Sequence, residues 1–180
     1  MDNKYQMILN RNLNEVRDAW FEWRSLMAIE SVQHPFPDST FFDIIHSALF
    51  NCAIGHLMKV LDQHKDSASF WYIYNYKQPE INAQPRNTER LKKLKHLASP
   101  DRLKHIRDKT HFHIDKNAVV DPKQVWRNAG ITSKEIYSAL LDMIAILQPL
   151  FKKEFGEYFP MDYDEDEAKH LAKIAKDLAK

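Results

Sequence analysis

The sequence predicts an all-α protein: an antiparallel bundle of four to five long helices with a short extra C-terminal helix. Three observations predict it. Six valines and four threonines are few for a sheet, whereas Leu, Lys, Ala, Met, Glu and Gln are plentiful. Apolar residues recur at alternating steps of three and four over several long stretches. The connectors between those stretches are short, which sets neighbouring helices antiparallel. With 180 residues, 44% of them hydrophobic, the chain is long enough for one sizeable core and too short for two. The division expected is a bundle over residues 1–160, then an acidic turn and a short amphipathic helix over 161–180.

The first helix is expected from about Tyr5 to Glu30, with Leu9, Leu13, Val16, Trp20, Trp23 and Met27 on its apolar face. His34-Pro35-Phe36-Pro37 ends it, because a proline disfavours helix in the residue before it. Asp38 or Ser39 then caps a second helix reaching about Gln63, whose inward stripe includes Ile45, Ala48, Cys52, Ala53, His56 and Leu57. A short aromatic helix follows Ser67, and Gln78 to Asn87, with two prolines, reads as a loop. A basic helix covers Thr88 to Leu97. Ser99-Pro100-Asp101 restarts the helix as cap, first residue and dipole-matched acid, and it runs on to about Ile114. Asn117 to Ile131 is a connector with one turn around Trp126. Thr132-Ser133-Lys134-Glu135 is a capping box opening the last long helix, whose stripe is Ile136, Leu140, Met143, Leu147, Leu150 and Phe151. Pro149 is expected to kink it. The tail helix carries Leu171, Ala172, Ala175 and Leu178 on one side and is expected to rest on its own bundle.

Several functions are excluded by composition. The three glycines, Gly55, Gly130 and Gly156, lie far apart, so no glycine-rich phosphate loop exists. Cys52 is the sole cysteine, which rules out an intrachain disulfide and a cysteine-rich zinc site and fits a reducing, cytoplasmic setting. No signal peptide and no membrane span are expected. Nine histidines invite a metal-binding bundle, but such bundles need paired Glu-x-x-His motifs on facing helices. Glu167-Ala168-Lys169-His170 is the only one and has no mate. Asp43 and His46 share a helical face without a matching pair, and His56 on its apolar stripe reads as a hydrogen-bonded histidine rather than a ligand. Neither a metal nor a cofactor is expected.

Charge is distributed unevenly. Between Arg86 and Lys109, nine Lys or Arg residues stand against Glu89, Asp101 and Asp108, a local excess of +6 in a chain whose total is +1. A basic strip on helices is the footprint of phosphate contacts, or else a solvated helix face. Within it lies Arg107-Asp108-Lys109-Thr110-His111-Phe112-His113-Ile114-Asp115-Lys116. An arginine, a polar residue after it and a histidine six positions on resemble the signature of the HEPN superfamily of helical-bundle proteins, many of them RNA-cleaving toxins. The extended Arg-Asp-Lys…His-x-Asp-Lys run is most similar to the abortive-infection AbiU-type branch, as is the placing of Asp62 and of Ser69-Phe70-Trp71. The likeness spans most of residues 5 to 157. Arg90 and His96 also stand six apart, but apolar Leu91 departs from the pattern, and Phe112 stands where the family usually has a small residue.

The resemblance implies metal-independent RNA cleavage, with Arg107 and His113 as catalytic residues and Asp108 orienting one of them. It implies His111 and Thr110 as accessories, and Arg102, Lys104, Lys109 and Lys116 as contacts to the RNA backbone. On a regular helix Arg107 and His113 stand about 120° apart, whereas His111 faces Arg107. Either the helix loosens before His113, or two subunits share one site. The resemblance implies the second: a homodimer acting on RNA as a toxin or antiphage effector, with an antitoxin protein as partner. The other readings are a catalytically silent helical module binding a nucleotide, RNA or a protein, and a metal-dependent bundle enzyme.

Overall fold

The computed structural model describes residues 3–33, 40–111 and 122–178, and its regular structure is entirely helical, with no strand among the described residues. Helix α1 (Asn3–Gln33) contains neither proline nor glycine and runs unbroken for 31 residues, about 46 Å. It is the spine of the bundle. Tyr5, Leu9, Leu13, Val16 and Trp23 are buried along it, and α2 (Thr40–Val60), α3 (Phe70–Tyr76), α8 (Ser133–Phe155) and α9 (Glu165–Leu178) all pack against it.

Side-chain pairs fix the directions. Glu30 meets His46 at 2.9 Å and Glu15 meets Lys59 at 3.2 Å, so α2 runs antiparallel to α1. Gln6 bonds Glu154 at 3.4 Å while Trp20 packs on Tyr137, so α8 is antiparallel to α1 as well. Between these lie α4 (Gln78–Asn82), α5 (Pro85–Leu97), α6 (Leu103–Ile106), a π-helical turn (Arg107–His111) and α7 (Pro122–Ala129). Lys153 to Glu80 of α4 at 2.9 Å and Arg90 of α5 to Asp142 at 3.3 Å run the α4–α5 segment antiparallel to α8.

The predicted stripe of α8 is buried in full, and its capping box forms: the Glu135 N–H donates to Thr132 Oγ1 while the Thr132 N–H donates to Glu135 Oε2 at 2.9 Å. Elsewhere the packing departs from the periodicity. Met27 is 45% exposed, and Leu26 and Ala28 are buried in its place, because a helix face is covered only where a neighbour crosses it. Ala48 and Cys52 of α2, expected inward, are exposed for the same reason. The expected caps Asp38 and Ser39 lie outside the described residues.

Of the stretch expected as loop, residues 78–82 are helix, and so are 85–87, where α5 begins with Pro85 in its first turn. Pro79 occupies the first turn, where its missing N–H costs nothing, and Ile81 is buried. The restart at Ser99 also differs: Ser99 Oγ donates to Asp101 at 2.6 Å instead of capping, and α6 begins at Leu103. Helix α9 rests on α1, where Tyr163 just before it bonds Ser25 at 2.8 Å and packs on Phe21.

Helix α8 stops at Gly156, whose φ of +84° lets its N–H reach the Lys152 carbonyl at 2.8 Å. No atom lies within 4 Å of where a Cβ would sit, so Gly156→Ala should cost only the backbone strain, about 1 kcal/mol in urea unfolding. Leu57→Ala, at a fully buried position, should cost about 2–5 kcal/mol in the same measurement.

Candidate functional site

Helix α2 ends at Val60, and the chain then turns through Leu61 and Asp62. Leu61 is buried, and its carbonyl accepts the Trp71 indole N–H at 3.0 Å. That anchor holds Asp62 at the rim of the bundle. Facing it, the segment after α6 abandons α-helical geometry for the π-turn Arg107–His111, in which hydrogen bonds run from i to i+5. Such turns are rare and are frequently found at functional sites. The helix therefore departs from α geometry over Arg107–His111, while the placing of His113 relative to Arg107 lies outside the described residues.

The Arg107 guanidinium, 24% exposed, donates through Nε to Asp108 at 2.9 Å and through Nη1 to Asp62 at 3.1 Å. These bonds use two of its five N–H donors. Asp108 also receives Lys104 Nζ at 2.7 Å, one turn back. Burial works against the charge on Arg107, but the hydrogen bond and field of Asp108, joined by those of Asp62, outweigh it and hold the pKa above its ordinary value. Burial likewise opposes the Asp108 carboxylate, and the bonds from Lys104 and Arg107 hold its pKa below the usual range.

This network forms one wall of a cleft of about 240 Å³, with Met58, Leu61 and Leu103 at its apolar side. Gln63 and His64, which follow Asp62 in the chain, also line it. His64 is exposed, and its Nδ1 accepts the Asp66 N–H at 3.3 Å, so in the neutral ring the proton sits on Nε2. Sequence reasoning missed His64 because it weighed histidines by spacing along one helix, and this one meets the motif across two elements. Asp62, noted for its place at the end of α2, is the residue that pairs with Arg107.

The remaining residues divide. Thr110 and His111 complete the π-turn, and Lys109 is half-buried within it. His113 and Lys116 lie outside the described residues. Arg102 is a correction. Expected to contact RNA, it is buried, donating from Nε to the Ala129 carbonyl at 3.2 Å and from Nη2 to the Gly130 carbonyl and Glu135. Its charge satisfies the carbonyl end of α7, where the helix dipole favours a cation. Arg90 is also structural, bonded to Asn87 and Asp142. His56 stands between Glu15 at 2.6 Å and Glu22 at 3.5 Å. Among the described residues no group of three His, Cys, Asp or Glu side chains is arranged to hold a metal ion, and no helix is long and apolar enough to cross a membrane.

Arg102→Ala should destabilise the fold by about 2–3 kcal/mol in urea unfolding, since hydrogen bonds to a charged group are lost together and two carbonyls are orphaned. Because the folded pKa of Asp108 is depressed, its contribution to stability is present above the unfolded value of about 3.9 and is lost as pH falls through the lower folded value. The Tm difference between the wild type and Asp108→Asn should therefore be largest near neutral pH and close toward pH 3; a constant difference would contradict the network. No protein-family model, curated protein or solved structure matches this chain.

Proposed function

We propose that the protein is a metal-independent endoribonuclease of the HEPN type. In this reading it works as a homodimer in which Arg107 and His113 from both subunits line one groove, and it acts as a toxin or antiphage effector held in check by an antitoxin. The observation that carries the reading is the motif arginine itself: Arg107 stands at a cleft wall, on a π-turn, oriented by two carboxylates. A fixed guanidinium with donors to spare suits a phosphodiester and the charge that grows on it during attack.

The chemistry is a transesterification. The ribose 2′-oxygen attacks phosphorus as its proton passes to a base, the bond to the 5′-oxygen breaks, and that oxygen takes a proton from an acid. The products are a 2′,3′-cyclic phosphate and a free 5′-hydroxyl. His113 serves as acid or base near neutral pH. Asp108 and Asp62 orient Arg107, while Lys104, Lys109 and Lys116 hold the flanking backbone. Arg102, buried under α7 and α8, has no part in it.

A second reading is favoured by the same two carboxylates. Asp62 and Asp108 neutralise Arg107 and tie the end of α2 to the π-turn, as they would in a catalytically silent module that binds a nucleotide, RNA or a protein. The two readings separate on one variant. His113→Ala should abolish cleavage of RNA and toxicity on expression while leaving the circular dichroism spectrum and Tm unchanged; an equally active variant overturns the ribonuclease reading. DNA, which lacks the 2′-hydroxyl, should survive, and a chelator should leave the rate unchanged.

A further inference from the structure

Gln63 and His64 border two clefts at once. One holds Arg107; the other, of about 340 Å³, has Lys65, Trp71, Tyr72 and Asn75 among its walls. The second cleft lies against α3, where five of seven residues are aromatic. Phe70 is buried and accounts for the core. The other rings are arranged differently. Trp71 is locked by its indole bond to Leu61 and by edge contact with Phe70 at 5.1 Å. Tyr72 lies nearly parallel to Tyr76, with 12° between their planes. Lys65 lines the cleft itself, Lys4 lies over Tyr72 at 5.7 Å, and Lys95 lies over Tyr74 at 5.7 Å farther along α3, while Lys77, over Tyr76 at 5.5 Å, is paired with Glu154.

Preset aromatic faces interleaved with cations are the pattern that binds single-stranded nucleic acid, the rings stacking on bases and the cations tracking phosphates. No carboxylate is among the described residues lining the second cleft, while Gln63 and Asn75 offer both donors and acceptors at its rim. We infer that this cleft seats an unpaired RNA base next to the phosphate held at Arg107. The base stacks beside Tyr72 and Trp71, its polar edge meets Asn75 and Gln63, and His64 stands between base and phosphate. The inference rests on the ribonuclease reading and adds to it a base subsite contributed by α3, outside the motif.

The probe is a hexamer of 2′-O-methyluridine, which keeps bases and phosphates but offers no 2′-hydroxyl for attack, titrated against the full chain beside a hexamer of the same backbone without bases. The wild type should bind the base-bearing hexamer about tenfold or more tightly than the abasic one, as loss of a stacked base implies. Tyr72→Leu should erase that preference while leaving the abasic affinity unchanged. Asn75→Ala, at an exposed position, should reduce the preference and serves as the second variant should the tyrosine prove necessary for folding. Arg107→Ala should weaken both hexamers and keep their ratio. If Arg107→Ala weakens binding but the α3 variants retain the full preference, the base subsite is wrong and the phosphate site stands. If neither hexamer binds, or Arg107→Ala changes nothing, the phosphate site fails and the base subsite with it.

Discussion

A guanidinium withdrawn from bulk water needs fixed acceptors, and the way Arg107 finds them organises the whole candidate site. Asp62 comes from the end of α2 and Asp108 from the π-turn, so one side chain joins two elements 45 residues apart. The charge balance is local: Lys104 offsets the second carboxylate, and the group stays ionised although half-buried. That tie holds the Asp62 turn against the π-turn and keeps one wall of the cleft between them in place. Arg102, five residues earlier, obeys the same rule with a different outcome. It meets backbone carbonyls and Glu135 inside the fold, and its guanidinium is spent on structure.

The long α1–α2 contact shows what happens when compensation is incomplete. Glu15 receives His56 and Lys59, whose bonds outweigh burial and hold its pKa down. Glu22 is different. Burial dominates there and pushes its pKa up, while its Oε2 meets no hydrogen-bond partner among the described residues. Yet both carboxylates address the same imidazole, so α1 and α2 are held in register by a charged ladder laid along an apolar seam.

Much of the fold was legible residue by residue. The capping box at Thr132 and the buried stripe of α8 depend on neighbours within a turn or two, and each is where local chemistry puts it. Two of the differences share one cause. Periodicity alone puts Met27 and Cys52 inward, but burial requires a neighbouring helix, and periodicity along one element does not say where the neighbour lies. Residues 78–82 read as loop because Pro79 and nearby Pro85 punctuate the stretch; the burial of Ile81 makes that short helix worthwhile.

Within the candidate site, the motif from Arg107 onward was visible as a pattern of residue types, and so was the weight of positive charge around it. The amino-acid order alone determined the helical class, the capping box at Thr132 and which residues carry ionisable groups, because these follow from bonds and propensities within a few positions. Only the tertiary structure decided that Arg102 is interior and Arg107 lines a cleft, that Asp62 is the distant partner, and that His64 and the aromatic helix α3 lie beside the motif. Those facts depend on how separate helices cross in space, and a guanidinium reads the same in sequence whether it ends among carbonyls or at a solvent-filled wall.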